Sequence, residues 1–292
     1  MAQRKVALVT DSTSFLPQHL IDQYNLHVIP LNLHWGQENL RDVEDISPSQ
    51  FYARLQQSDQ IPTTSQPSAG RFLTFFQEVA KSADSIVAVL LSEKLSGTVA
   101  SAHAAVEMME SDFPIEVVDS QSAALGVGLV ALAAGRAVEK GLDYQEVAEV
   151  ARTVSPHVRV LFVVDTLEYL HRGGRIGGAK RLLGSVLSIK PLLQLKDGEI
   201  EPLASVRTKK KAVSRMIEVV QEETAGAREV HMGVIHAAAE EEGEALYQRV
   251  KSLLAPATLL SSELSPVIGT HTGPGTLGIG YYDAAVLEAF DL

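Results

Sequence analysis

The stretch SIVAVLLSEKLSGTVASAHAAVEMME, residues 85–110, decides the fold class. Its first seven residues, SIVAVLL, form a short apolar run rich in β-branched side chains and bounded by polar ones, the pattern of a fully buried strand. The polar loop SEKLSGT follows, and the small-residue run VASAHAAVEMME then reads as a helix. A strand covered on both faces and leading through a loop into a helix is the unit of an α/β protein with a parallel sheet.

The unit recurs on both sides. KVALVT, residues 5–10, is a β-rich run that ends at the polar loop Asp11-Ser12-Thr13-Ser14, and HVIPLNL, 27–33, reads as the next strand. Residues from Gly36 to Gln66 form a polar, proline-bearing excursion. In RFLTFFQEVA, Phe72, Phe75, Phe76 and Val79 stand at i, i+3, i+4 and i+7, which is one face of a helix. IEVVDS supplies another strand, and a long Ala/Gly helix runs from about Ser122 to Lys140.

The alternation breaks near residues 150–158, where ARTVSPH carries Ser155-Pro156. Beyond it VRVLFVV is a strand, LEYLHRGGRIGG a turn-rich polar stretch and KRLLGSVL a helix. SIKPLLQL and GEIEPLASVR read as two strands joined by Lys196-Asp197-Gly198, whose Asp-Gly pair favours a tight hairpin. A helix over 209–223, a strand over 229–236, a helix over 238–254 and strands near 257–264 and 276–282 complete the chain. Adjacent strands with no helix between them imply mixed or antiparallel pairing. The predicted fold is α/β with two domains. Residues 1–155 form an N-terminal parallel-sheet α/β/α domain, and residues 156–292 a C-terminal domain with a mixed or antiparallel sheet flanked by helices.

Composition narrows the function classes. At 292 residues and 46% apolar content the chain can bury two ordinary cores. Its net charge of −11 repels a phosphate backbone, so nucleic acid is not an expected partner. No stretch approaches the roughly 20 apolar residues of a membrane span. The start MAQRKVALVT turns directly into a strand pattern with no secretory apolar region, and a cytoplasmic location is expected. The absence of cysteine excludes disulfides, thiolate nucleophiles and cysteine-ligated metals. Nine histidines with no H-E-x-x-H or close pair make a metal site unexpected, and none is assigned.

Three polar loops stand at strand ends or before helices, where open α/β sheets bind ligands. They are Thr10-Asp11-Ser12-Thr13, PTTSQPS at 62–68 and Leu95-Ser96-Gly97-Thr98. The last two precede helices, whose N-terminal N–H groups and dipole attract an anion. Few cations lie nearby, Lys94 and Arg71 only, so a carboxyl group suits these loops better than a di- or triphosphate. Taken singly, each hydroxyl is equally an ordinary helix cap worth about 1 kcal/mol. A fourth element shifts the balance: SPVIGTHTGPGTLGIGYY, 265–282, sets five glycines and two prolines around His271. Glycine there lets main-chain N–H groups approach a small polar head. SPVIG and LGIGYY are expected to flank that turn as strands.

Familiar motifs fail on context. GVGLVA, 126–131, satisfies G-x-G-x-x-A but lies inside a helix instead of forming a strand-to-helix turn. Gly178-Ala179-Lys180 breaks the P-loop pattern, and no G-x-S-x-G elbow is present.

VTDSTSFLP (9–17), PTTSQPS (62–68), LSGT (95–98), VVDSQS (117–122), LEYLHRGGRIG (167–177), KPLL (190–193) and SPVIGTHTGPGTLGIGYY (265–282) together resemble the DegV family of bacterial fatty-acid-binding proteins. The blocks are in order and span nearly the whole chain. The resemblance implies a two-domain α/β protein that holds one long-chain fatty acid, such as hexadecanoate, in a tunnel between its domains. It also implies no cofactor and no catalysis by this chain. The protein would be the acyl-carrying subunit of a fatty acid kinase, presenting the carboxyl group to a separate ATP-binding subunit that phosphorylates it. Motif by motif, Thr63 and Ser96 are the implied carboxylate contacts and His271 completes the cluster. Thr64, Gly97 and Thr98 lie close by. Arg172 and Arg175 are implied as a docking site for the kinase, and an ordinary helix cap or a pairing with Glu168 accounts for them equally well.

Buried methylenes are worth roughly 0.8 kcal/mol each, so about fourteen of them supply on the order of 11 kcal/mol before costs. ALGVGLVALAAG and GSVLSIKPLLQL offer apolar lining for such a chain. The alternative is an acyl hydrolase or transferase in which Ser96 attacks, His271 acts as base and Asp11 or Asp119 orients the imidazole.

Overall fold

The computed structural model describes residues 5–110, 112–183 and 190–292. The chain opens with β1 (Val6–Asp11), α1 (Gln18–Gln23), β2 (Leu26–Ile29), β3 (Asn32–Trp35), β4 (Glu38–Arg41) and α2 (Pro48–Gln57). β5 (Thr63–Ser65), α3 (Ala69–Ala80), β6 (Ser85–Leu90), α4 (Thr98–Glu107), β7 (Ile115–Asp119), α5 (Leu125–Lys140) and α6 (Tyr144–Val154) follow. Then come β8 (Arg159–Val163), α7 (Glu168–Arg172), β9 (Lys190–Lys196), β10 (Glu199–Val206), α8 (Lys209–Glu223) and β11 (Val230–His236). The last elements are α9 (Glu240–Leu254), β12 (Thr258–Glu263), α10 (Pro266–Thr272) and β13 (Leu277–Asp283).

The expected α/β class is what the structure has. β2-β1-β6-β7 form a four-stranded sheet, parallel throughout. Every residue of β1 and β6 is buried, in keeping with their continuous apolar runs. β10-β9-β8-β13-β11-β12 form a six-stranded mixed sheet, antiparallel except for the β11–β12 pair. Asp197 (φ 51°) and Gly198 (φ 81°) close the β9–β10 hairpin, both left-handed as a two-residue turn of this kind requires.

HVIPLNL is two strands, not one. Pro30 cannot donate to a ladder, and at that point the chain leaves the parallel sheet; β3 then pairs antiparallel with β4 and β5 in a small third sheet. The excursion from Gly36 to Gln66 therefore carries three elements. Its helix α2 starts with a capping box, Ser47 with Gln50, and has Pro48 at its first position. SPVIG is likewise helical: Ser265 caps α10, Pro266 opens it and Gly273 (φ 76°) ends it. The apparent break at ARTVSPH comes after α6 has run on to Val154. The expected helix KRLLGSVL is a 3-10 helix over Gly177–Leu182, and its remainder lies outside the described residues.

The six-stranded sheet has two unlike faces. Leu161 and Val163 of β8 point with Met232 and Val234 of β11 into the core under α8 and α9. Val160, Phe162 and Ile235 point the other way, into the largest apolar cluster, which also holds Val87 and Val89 of β6 and most of α5. α5 is thus packed against both large sheets. Gly128 in this helix admits Leu16, which a Cβ would displace.

Candidate functional site

An apolar recess lies between the carboxyl ends of the parallel strands and the inner face of the mixed sheet. About 760 Å³ of space, part of it open to solvent, lies within its lining. Leu31, Leu91 and Leu95 form one wall; Val160, Phe162, Leu195, Ile200 and Ile235 form the opposite one. Val267 and Ile268 of α10 close the side. Of the two segments expected to line a tunnel, only Ala124 and Leu195 reach it among the described residues, and the rest of α5 is ordinary core.

Polar groups gather at one end: Thr64, Ser96, Arg175 and His271 line the same cavity. β5 pairs with β3, with Thr64 opposite Leu33, and this fixes the PTTSQPS segment. Thr64 is half-buried and its Oγ1 lies 2.7 Å from His271 Nε2. Thr63 is exposed; it lines a neighbouring recess instead of the cavity. Ser96 Oγ is 2.9 Å from Thr98 Oγ1, which is fully buried at the start of α4 and outside the lining. Gly97 is the residue before that helix, and a Cβ there would sit 2.8 Å from Gln66 Nε2. The PTTSQPS and LSGT segments can approach one another because Gly97 has no side chain.

The same device joins the other two motifs. A Cβ on Gly173 would overlap His271 Nδ1, and one on Gly273 would overlap the ring of Tyr169. α7 and α10 are thereby seated against each other. Arg175 donates from Nε to Leu95 O (3.0 Å) and from Nη1 to Gly173 O (2.7 Å), which holds its guanidinium in the wall beside Ser96. Its Nη2 has no hydrogen-bond partner among the described residues. Arg172 points outward and pairs with Glu168 at 2.5 Å, both side chains about half exposed.

Burial and, second, the charge of Arg175 push His271 down to about 4, so the imidazole is neutral at physiological pH. Its Nδ1 is buried without a partner. The positive charge of the site therefore resides on Arg175. The sequence reading had this arginine only as a docking residue or as a helix cap or partner of Glu168; its position in the wall follows from the fold of the LHRGGRIG turn over Leu95.

The groups of a serine hydrolase are not assembled. Ser96 is paired with Thr98, and His271 with Thr64. Asp11 is fully buried and accepts from Leu91 N (2.7 Å), Thr13 N (2.9 Å) and Thr13 Oγ1. Asp119 accepts from Gln121 N and Glu93 N. No carboxylate orients His271 Nδ1, so the imidazole has no triad geometry. Among the described residues no group of three or more His, Asp or Glu is placed to hold a metal ion, and no helix is long and apolar enough to cross a membrane.

The family model described as "Uncharacterised protein, DegV family" matches residues 5–284. The chain belongs to the DegV family. A DegV domain-containing protein of Streptomyces coelicolor is 40% identical over 278 residues, covering 94% of this chain and 98% of its own. The structure titled as fatty acid binding of a DegV family protein from Thermus thermophilus superposes with a TM-score of 0.90 at 37% identity, over 96% of this chain and 99% of that one. A stearic acid-binding protein from Eubacterium ventriosum gives a TM-score of 0.89 at 25% identity, over 95% and 98%. PTTSQPS, LSGT, LHRGGRIG and THTGPG, the DegV-like segments of this chain, meet at the polar end of one cavity.

Proposed function

We propose that this protein binds one long-chain fatty acid and presents its carboxyl group to a separate ATP-dependent kinase subunit. The observation that carries this reading is the cavity itself: an apolar recess with Thr64, Ser96, Arg175 and His271 clustered in its wall. An amphiphile with a single acidic head matches that division. Buried without partners, the carboxylate would cost several kcal/mol. Two hydroxyls, a neutral imidazole and the guanidinium of Arg175 offset the cost, the last through a charge-assisted bond. Fatty acid binding by the Thermus and Eubacterium relatives supports the ligand class, and hexadecanoate is the chain length we assign.

In the transfer step a carboxylate oxygen attacks the γ-phosphorus of ATP held by the kinase. The bond from phosphorus to the ADP oxygen breaks, giving acyl phosphate and ADP. The nucleophile is already ionised, so no general base is needed, in accord with the missing triad. This chain contributes binding, orientation and exclusion of water from the acyl tail. The kinase approaches over the Arg172 rim, in the cytoplasm where ATP is available. The test is reconstitution. With hexadecanoate-loaded protein, kinase subunit and ATP, acyl phosphate should form, trapped as the hydroxamate, and with either protein alone it should not. Ester hydrolysis by this chain alone would contradict the reading.

A further inference from the structure

Leu31, Leu91, Leu264 and Val267 all line the apolar cavity and come from separate parts of the chain. Leu31 follows β2, Leu91 follows β6, and Leu264 and Val267 lie either side of the Ser265-Pro266 start of α10. The main-chain groups of three of them meet in one buried polar cluster. Asp11, at the end of β1, accepts from Leu91 N (2.7 Å). Ser12 Oγ accepts from Leu31 N (3.1 Å) and donates to Asp42 Oδ2 (2.6 Å). Asp42 Oδ1 accepts from Val267 N (3.1 Å), and Asp42 N donates to Leu31 O (2.9 Å). Asp11, Ser12 and Asp42 are each exposed by 2% or less.

None of these three polar residues belongs to the lining of the cavity. Their bonds bear on a bound chain only through Leu31, Leu91 and Val267. Two acids in one apolar cluster are costly: burial raises both carboxyls, Asp42 to about 7, and the charge of Asp11 adds to the shift at Asp42. An apolar side chain of similar volume would avoid that cost but could not accept a main-chain N–H. What the acids supply is direction. Asp11 fixes Leu91 beside the parallel sheet, Asp42 fixes Val267 in α10, and Ser12 ties Leu31 between them. Tyr52 gives α10 a second anchor that does not depend on Asp42, since its hydroxyl donates to Leu264 O (3.0 Å).

We infer that Asp42 is a positioning residue for the acyl chain: through Val267, and through Ser12 and Leu31, it sets how closely the apolar walls close on each methylene. The inference rests on the fatty-acid reading above. Asp42 touches no ligand atom, so its removal loosens the apolar walls and leaves Thr64, Ser96, Arg175 and His271 in place.

The test measures affinity as a function of chain length. Decanoate, dodecanoate, tetradecanoate and hexadecanoate compete with a fluorescent fatty acid on lipid-free wild type, Asp42→Ala, Asp42→Asn and Ser12→Ala. Affinity for the wild type should rise about fourfold per added methylene, the transfer worth of one buried CH2. In Asp42→Ala the rise should fall to about twofold or less, because loosened walls pack each methylene less well. Asp42→Asn keeps an oxygen for Val267 N and gives Ser12 Oγ an N–H, and should restore the rise to at least about threefold. A merely structural role would lower affinity by the same factor at every length. That result, or a loss of the rise in Asp42→Asn as large as in Asp42→Ala, would overturn the inference. Should Asp42→Ala fail to fold, Ser12→Ala decides in its place: a reduced rise supports the inference and an unchanged one overturns it. If the wild type binds none of the four acids, the fatty-acid reading itself fails.

Discussion

Replacing His271 with glutamine isolates the electrostatic state of the site. In the folded chain burial and the charge of Arg175 set this histidine at about 4, against 6.5 for an ordinary one. The folded pKa is depressed, so as pH falls the unfolded chain takes up the proton first. The stability contribution is complete above pH 6.5 and is lost between 6.5 and about 4. At 1.36 kcal/mol per pKa unit the loss amounts to about 3 kcal/mol over that window. Glutamine keeps a hydrogen-bonding head without titrating. Urea denaturation of the lipid-free wild type and His271→Gln, each at pH 7.5, 6, 5 and 4.5, gives the difference in unfolding free energy. His231, also pushed to about 4, is present in both proteins and cancels. The wild type should lose stability relative to the variant by about 2–3 kcal/mol between pH 7.5 and 4.5. A difference that stays flat within about 0.5 kcal/mol would refute a neutral, desolvated His271, and with it the assignment of the site's charge to Arg175.

Three further outcomes follow from the geometry. Thr64→Val should weaken hexadecanoate about tenfold in fluorescent-fatty-acid competition while Thr63→Val changes it less than about twofold, because only Thr64 lines the cavity; equal effects would mean that the wrong threonine has been assigned. Ile268→Trp fills the recess from α10 and should abolish chain binding with a stability change below about 2 kcal/mol, and undiminished binding would place the acyl chain elsewhere. Asp42 is fully buried, bonded to Ser12 Oγ (2.6 Å) and Val267 N (3.1 Å), and burial raises its carboxyl to about 7. Its folded pKa lies above the unfolded one, so its contribution is complete below pH 3.8 and is lost as pH rises through 7. Asp42→Asn should remove that decline from the pH–stability profile between about pH 4 and 7, and an unchanged slope over that window would contradict it.

The central strands of both large sheets, such as β1, β6, β8 and β11, were readable in the sequence because each is a largely apolar run of the right length. Asp197-Gly198 announced its hairpin by residue type alone. Where β-pattern and capping signals competed, the reading was less secure. HVIPLNL reads as one strand until Pro30 is taken as a missing donor. SPVIG looks like a strand until Ser265-Pro266 is read as a cap followed by a first helical turn. The excursion from Gly36 to Gln66 hid α2 because its capping box and its stripe of Pro48, Phe51, Tyr52 and Leu55 sit inside an otherwise polar, proline-bearing stretch.

For the site, sequence blocks showed which loops matter but not how they face. Thr63 and Thr64 are neighbours in sequence and differ in exposure because successive strand residues point to opposite sides. Arg175 carries no local sign that its guanidinium turns inward; that depends on the carbonyls of Leu95, 80 residues away, and of Gly173, 2 residues away. The apolar wall is just as diffuse. Leu31, Leu91, Phe162 and Ile235 come from four separate strand or loop segments and meet only when the two large sheets are brought face to face.

Denaturing solvent extraction of the protein purified from a bacterial host, followed by quantitative mass spectrometry, tests the central claim most directly. The account predicts close to one equivalent of long-chain free fatty acid per chain, depleted in the Ile268→Trp variant. Protein that emerges empty and takes up no hexadecanoate when delipidated and incubated with it would contradict the account.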